Sequence, residues 1–193
     1  MIRLDAGNPP APLGHDAGKG AEKDVGPRQD DAVDPRAPSG TALYVHLPFC
    51  AAKCHYCDFF SVPAEGQDRE GMIAAILREA ELRAPARPST VFLGGGTPSL
   101  LSTSELRVLL DGLERTCAFR GSATEVTAEC NPESLDQDKV RALLDLGVDR
   151  LSIGVQSLRD DVLALFGRVH SAEDGLRAFE ADPVSAFGGV LAF

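Results

Sequence analysis

The stretch LYVHLPFCAAKCHYCDFF, residues 43–60, carries the features that decide the fold. It opens with an apolar run typical of a β-strand, stops at Pro48, and then places Cys50, Cys54 and Cys57 within eight residues. Three thiols on one loop after a strand can converge on a single centre. Because thiolates select zinc, copper(I) or iron–sulfur clusters over hard cations, the stretch predicts a metal or cluster site.

Several interpretations of these cysteines remain open. A structural zinc site has four protein ligands, and only His46 and His55 lie near enough in the sequence to supply the fourth ligand. A cluster held by three cysteines instead keeps one iron open for a substrate or cofactor. A disulfide is disfavoured because five cysteines is an odd count and no secretory signal is seen. A thioredoxin-like pair of Cys54 and Cys57 would leave Cys50 unexplained.

Length and composition fit one domain with a tail. The 193 residues are 44% hydrophobic, which suits a packed core, and no long apolar run suggests a membrane span. The formal net charge of −10 argues against nucleic acid and anionic membrane surfaces as partners. Since the N-terminal residues resemble neither a signal peptide nor a transit peptide, the cytoplasm is the expected location.

The N-terminal segment differs in composition from the rest of the chain. Residues 1–40 contain six prolines, six glycines and few large aliphatic side chains. Such a segment cannot bury enough apolar surface to offset the entropy lost on ordering. We therefore expect a disordered tail over residues 1–40, a folded core over 41–182 and a divergent end over 183–193.

Strand and helix patterns alternate four times through the core. Strands are predicted at 43–47, 90–93, 124–128 and 150–155, and helices at 69–84, after Ser102 with Glu105, from Ser134 with Gln137 to Gly147, at 159–167 and after Ser171. This order predicts parallel strands with helical crossovers, whose working groups collect at the carboxyl ends of the strands. Unusual residues follow every strand there: the cysteine loop, residues 94–97, residues 129–132 and Gln156.

Five motifs together resemble the coproporphyrinogen oxidase-like branch of the radical S-adenosylmethionine superfamily. They are YVHLPFCxxKCxYCDF, FLGGGTPSLL, ExxxECNPESL, RLSIGVQSL and LFGRVHS, in this order between about residues 42 and 180. The resemblance implies an α/β fold, a partial (β/α) barrel, with a 4Fe-4S cluster on Cys50, Cys54 and Cys57. It also implies S-adenosylmethionine bound to the open iron and cleaved by one electron to a 5′-deoxyadenosyl radical.

The resemblance also assigns roles to eight further residues. Carried over by motif, Tyr44, Gly95 and Glu129 would contact S-adenosylmethionine, and Tyr56, Gly96, Thr97, Gln156 and Arg168 would line the neighbouring cofactor or substrate region. Glycine backbone allows close approach of a ligand, and Arg168 suits a carboxylate.

Each polar member of this set has a plainer alternative. Gln156 could satisfy backbone groups at the strand end, and Glu129 could cap the helix that follows Pro132. Arg168 could pair with Asp160 or Asp161.

The sequence resembles two subfamilies of this branch. Oxygen-independent coproporphyrinogen III oxidases, which decarboxylate a porphyrinogen, typically carry a further cysteine where this sequence has Phe59. Phe59 and the LFGRVHS motif resemble the HemW-type haem chaperones, which bind haem and hand it to respiratory proteins. The chaperone is the preferred interpretation, the oxidase is the alternative, and a zinc-stabilised structural domain is the third. An electron donor for the cluster is a further expected partner, and none of His46, His55 and His170 is assigned as a haem ligand.

The sequence also departs from the resemblance near its end. The family's chain is about twice as long in domain terms, and residues 182–193 do not resemble its next strand. We expect a fragment truncated after about four βα units, with an apolar edge exposed on the fourth strand. Of the remaining cysteines, Cys117 is expected to be a buried small hydrophobe, and Cys130 has no assigned role.

Overall fold

The computed structural model describes residues 2–4, 40–181 and 190–192. Numbered in chain order, the strands are β1 Ile2–Leu4, β2 Ala42–Leu47, β3 Phe49–Cys50, β4 Val62–Pro63, β5 Thr90–Gly95, β6 Glu125–Cys130, β7 Arg150–Gly154 and β8 Val190–Ala192. The helices are α1 Arg69–Arg83, α2 Thr103–Cys117, α3 Gln137–Asp145, α4 Asp160–Leu165 and α5 Ala172–Ala181. The predicted alternation of strands and helices is confirmed.

The main sheet follows the order β1-β2-β5-β6-β7-β8. From β2 to β8 every neighbouring pair is parallel, as expected for strands joined by helical crossovers. One register row joins Val45, Leu93, Ala128 and Leu151 across four strands, and each of these side chains is at most 1% exposed. This row lies at the centre of the hydrophobic core.

The helices α1 and α2 each bury an apolar face in the core. In α2 the side chains of Leu106, Leu109, Leu110 and Leu113 are fully buried, and Ser102 and Glu105 form the expected capping box. In α1, helical spacing places Met72 on the same stripe as the buried Ile73, Ile76 and Ala80, but Met72 is 36% exposed.

The start of α3 also differs from the prediction. Asp136 is the N-cap, since its carboxylate accepts the backbone N–H of Lys139 at 2.7 Å. Ser134 instead ends a short 3₁₀ turn that begins at Pro132. A carboxylate adjacent to the first helical residue caps it more directly than a serine three residues away.

Two short strands lie at the edges of the sheet. Ile2–Leu4 pairs antiparallel with the edge of β2, and the rest of the segment predicted to be a disordered tail, to residue 39, lies outside the described residues. The fourth parallel strand is not an open edge, because β8 pairs with β7 in parallel register. In both places an unpaired row of backbone N–H and C=O groups acquires a partner. No helix in the described parts of the chain is long and apolar enough to cross a membrane.

Candidate functional site

The cysteine loop is held at its ends and in its middle. At its start and end, β3 pairs with β4, which brings Phe49 opposite Val62. In its middle, the backbone N–H of His55 donates to the carbonyl of Phe166 at 3.0 Å, and Nδ1 of His55 lies 3.1 Å from the carbonyl of Leu165. The loop therefore packs against the end of α4, more than 100 residues later in the chain.

A cavity of about 310 Å³ opens at the carboxyl ends of the strands. Its wall contains ten of the eleven predicted site residues: Cys50, Cys54, Tyr56, Cys57, Gly95, Gly96, Thr97, Glu129, Gln156 and Arg168. The eleventh, Tyr44, lies outside the wall. Its hydroxyl is 3.2 Å from Nδ1 of His46, and its ring stacks on that of Phe92. The structure thus brings together residues that are up to 118 positions apart in the sequence.

The three loop cysteines are free thiols, half-buried in this wall. Thr97 Oγ1 donates to Cys50 Sγ at 3.8 Å, and Arg168 Nη1 donates to Cys54 Sγ at 3.2 Å. Hydrogen-bond donors aimed at sulfur stabilise the thiolate, which is the form that binds metal. Within the described residues no three His, Cys, Asp or Glu side chains are close enough to hold a single metal ion. The donor set fits an iron–sulfur cluster.

The glycine turn is required by contacts within the protein. Gly95 has φ +109°, and a Cβ there would lie 2.5 Å from the ring of His46. A Cβ on Gly96 would lie 2.5 Å from the carbonyl oxygen of Phe49. The sequence suggested that these glycines allow a ligand to approach. In the structure, a side chain at Gly95 would meet His46 of β2, and one at Gly96 would meet the strand that carries Cys50.

Glu129 faces the cavity from the end of β6. Its Oε2 accepts the backbone N–H of Gly95 at 3.0 Å, so the alternative in which it caps the next helix is wrong. Burial raises the pKa of Glu129, while the Gly95 hydrogen bond and the nearby His46 act in the opposite direction. The pKa of Tyr44 is raised by burial and by the charge of Glu129. Glu129 is therefore a partly desolvated acceptor.

Arg168 is fixed by acceptors on three sides. Besides Cys54, it donates through Nη2 to Asn131 Oδ1 and to the Gly154 carbonyl, each at 2.8 Å. The alternative pairing with the aspartates of α4 is wrong, because Asp161 binds Arg159 and Asp160 accepts the backbone N–H of Ala172. Its buried Nε has no hydrogen-bond partner among the described residues.

A buried histidine supports this arginine. His170 is 4% exposed, and its Nε2 lies 3.0 Å from the Val155 carbonyl. Its Nδ1 lies 3.4 Å from Glu133 Oε2 and 3.5 Å from Nη2 of Arg168. The histidine lowers the pKa of Glu133 against the opposing effect of burial. Both ring nitrogens of His170 have protein partners.

Gln156 and Tyr56 complete the polar wall. Gln156 has φ +68°, a conformation that costs free energy for a residue with a side chain. Tyr56 is half exposed and meets the ring of Phe166 edge-on, with 5.2 Å between the ring centroids. Burial raises the pKa of the Tyr56 hydroxyl.

Sequence reasoning missed several residues of the cavity wall. Asn131, Ser61, Ser152 and Gly154 all line it. Asn131 stands among residues 129–132, which the sequence placed at the functional edge of the sheet, but it was given no role there. Ser152 and Gly154 belong to the RLSIGVQSL motif, and Ser61 carries no comparable signal.

The fold and the site together define the class of protein. The family profile of the Radical SAM superfamily matches residues 44–181, and the chain belongs to that superfamily.

Two curated relatives narrow the comparison. The chain is 38% identical over 143 residues to the heme chaperone HemW of Bacillus subtilis (strain 168), covering 72% of this chain and 38% of that protein. It is 39% identical over 156 residues to the mitochondrial radical S-adenosyl methionine domain-containing protein 1 of Bos taurus, covering 77% of this chain and 35% of that protein. The chain thus spans less than two fifths of the length of these relatives.

Solved structures agree with the fold. The coproporphyrinogen III oxidase HemN from Escherichia coli, a radical SAM enzyme, superposes with a TM-score of 0.72 at 27% identity, covering 84% of this chain and 38% of that one. The protein anSMEcpe with bound AdoMet superposes with a TM-score of 0.52 at 17% identity, covering 78% and 42%, and supports the fold alone.

Proposed function

We propose that this protein binds a 4Fe-4S cluster through Cys50, Cys54 and Cys57, and S-adenosylmethionine beside it. The observation that carries the proposal is the shared cavity, where the three thiols meet the Gly95 and Gly96 backbone and Glu129. When bound, the cluster supplies the electron with which S-adenosylmethionine is cleaved. An electron donor would then be a partner of the protein.

The chain's own residues have distinct parts in this proposal. Glu129, a desolvated acceptor, suits an amine or ribose hydroxyl of the cofactor. The glycine turn brings backbone to the cavity without a side chain between. Arg168 and Thr97 donate to cysteine sulfur, while Tyr56 and Gln156 bound the space beside the cofactor. Contact of Tyr44 with S-adenosylmethionine stays a prediction.

We propose haem as the cargo, with transfer to respiratory proteins as the function. This rests on the similarity to the HemW proteins and on Phe59, which lines the cavity where the oxidases typically carry a further cysteine. The alternative, an oxygen-independent coproporphyrinogen III oxidase acting on a porphyrinogen, is favoured by the likeness to HemN. The haem ligand is left unassigned, because His46, His55 and His170 each contact protein groups.

Anaerobic reconstitution with iron and sulfide tests the cluster. We expect about four irons per chain, as a 4Fe-4S cluster requires, and loss of iron in Cys54→Ala. Cys117→Ala is the matched control, because that thiol lies in the core away from the cavity. One zinc per chain without sulfide would instead support the third candidate, a zinc-stabilised domain.

Two further assays separate the chaperone from the oxidase. If the protein is a chaperone, haem binding, followed by the Soret absorbance, should saturate without added S-adenosylmethionine. Decarboxylation of a porphyrinogen with release of 5′-deoxyadenosine would favour the oxidase. The cytoplasmic location stays a prediction, and the bovine relative is named as mitochondrial.

A further inference from the structure

Two side chains in the cavity wall aim hydrogen-bond donors at cysteine sulfurs. Arg168 Nη1 lies 3.2 Å from Cys54 Sγ, and Thr97 Oγ1 lies 3.8 Å from Cys50 Sγ. The threonine follows β5 and the arginine follows α4, so neither position fixes the other along the chain. A side chain that contacts both donors would couple their positions.

The carboxamide of Asn131 contacts both donors. Its Nδ2 donates to Thr97 Oγ1 at 2.9 Å, and its Oδ1 accepts from Arg168 Nη2 at 2.8 Å. Because a guanidinium can only donate, the amide oxygen of Asn131 must face Arg168. The amide N–H groups are therefore left for Thr97.

This arrangement decides where the hydroxyl proton of Thr97 points. A hydroxyl has one proton to donate, and here its oxygen already accepts from Asn131. The proton is then free for Cys50 Sγ. Thr97 is only 2% exposed, so water does not compete strongly for it.

We propose that Asn131 is a positioning residue for the cluster, which sets its reduction potential by directing the Thr97 and Arg168 donors at Cys50 and Cys54. Hydrogen bonds to cluster sulfur stabilise the more negative, reduced state and so raise the potential. Asn131 has no hydrogen bond to either sulfur and acts through its two neighbours. The inference rests on the proposed function, since it needs a cluster on these cysteines.

The test compares midpoint potentials of the reconstituted 193-residue chain, measured by dye-mediated titration with EPR detection, together with iron per chain. We expect Asn131→Leu and Thr97→Val each to shift the potential to a more negative value. The double variant should shift by less than the sum of the two, because both changes interrupt the same path to Cys50. If the shift of the double variant equals the sum of the two single shifts, Asn131 does not act through Thr97.

Ser134→Ala is the matched control. Its hydroxyl donates to the backbone carbonyl of Asn131 at 3.0 Å, so it perturbs the same turn without breaking a carboxamide contact. Its potential should equal that of the wild type. A shift as large as that of Asn131→Leu would mean that the turn as a whole, and not the carboxamide, sets the potential.

Asn131→Asp covers the case in which leucine prevents folding. Aspartate keeps the size and the acceptor for Arg168, but it accepts the Thr97 proton and so draws it away from Cys50. The midpoint potential should again become more negative. The shift caused by Asn131→Asp should be smaller when it is made in the Thr97→Val variant. If both Asn131 variants retain the cluster and the wild-type potential, the inference about Asn131 is wrong while the proposed function stands. If the wild type takes up no iron and sulfide, the proposed function fails with it.

Discussion

Single residues of the cavity wall show how burial and hydrogen bonding compete. Glu129 keeps one backbone donor, the Gly95 N–H, yet burial dominates and raises its pKa above the usual value of 4.5. The folded-state pKa therefore exceeds that of the unfolded chain. Such a group favours folding below the unfolded pKa, and this contribution is lost as the pH rises through the folded pKa.

We accordingly expect Glu129→Gln to be more stable than the wild type at pH 7, with an advantage that shrinks as the pH falls towards 4. Glutamine keeps an acceptor for Gly95 without the cost of burying a charge. Urea unfolding of the cluster-free chain across this pH range measures the difference. Glu81→Gln, on the exposed face of α1, is the control. A disadvantage of Glu129→Gln that grows with pH would contradict the argument.

The reactivity of the five cysteines should depend on how deeply each thiol is buried. Burial raises the pKa of Cys117 to about 11 and that of Cys130 to about 12, so both remain protonated at pH 8 and react slowly with alkylating agents. The thiols of Cys50, Cys54 and Cys57 are half-buried in an open cavity.

Iodoacetamide treatment of the cluster-free native chain at pH 8, read by peptide mass spectrometry, should therefore label the three loop cysteines first. The same treatment in denaturing urea should label all five. Early labelling of Cys130 in the native chain would show that the carboxyl end of β6 opens readily.

At the scale of elements, the glycine turn after β5 and the cysteine strand β3 form one unit. The backbone N–H of Gly96 donates to the Leu47 carbonyl, and that of Thr97 donates to the Phe49 carbonyl, each at 2.7 Å. The turn and the strand that carries Cys50 are thus tied by backbone contacts, which leave no room for a side chain at Gly96.

Gly96→Ala should lower the free energy of unfolding by about 1–3 kcal/mol, the usual cost of overpacking, and should reduce iron uptake. Gly121→Ala is the control, since a Cβ there meets nothing within 4 Å. Urea unfolding and iron content of reconstituted protein measure the two effects. Equal stability of the two variants would show that the turn can move away from β3.

At the scale of the whole molecule, the short strands β1 and β8 cover the two sides of the parallel core. Unpaired strand edges pair readily with other chains and lead to aggregation. The pairing of β8 with β7 therefore bears directly on whether the chain stays dispersed.

A chain ended at residue 189 should aggregate more than one ended at 192, because it leaves the edge of β7 without a partner. Light scattering as a function of protein concentration measures the difference, and far-ultraviolet circular dichroism checks that both chains fold. Equal scattering by the two folded chains would show that β8 does not protect the edge.

Local patterns in the sequence were sufficient for the order of the helices and the four central parallel strands, and for most of the cavity wall. Apolar periodicity predicted the strands and helices, because each element must bury one face or stripe. Parallel strands carry their functional groups at their carboxyl ends. This rule predicted from the sequence that Cys50, Gly95, Glu129 and Gln156 lie at the same edge of the sheet. Side-chain pattern within an element is a local property, so it is legible without coordinates.

Only the tertiary structure decided which partners these residues have. Arg168 binds Cys54 and Asn131 and not the neighbouring aspartates, and Glu129 accepts from Gly95 and caps no helix. The short strands β1 and β8 found partners that their own composition did not predict. Hydrogen-bond partners and strand edges depend on groups far apart in the chain, which meet only once the sheet has set their register.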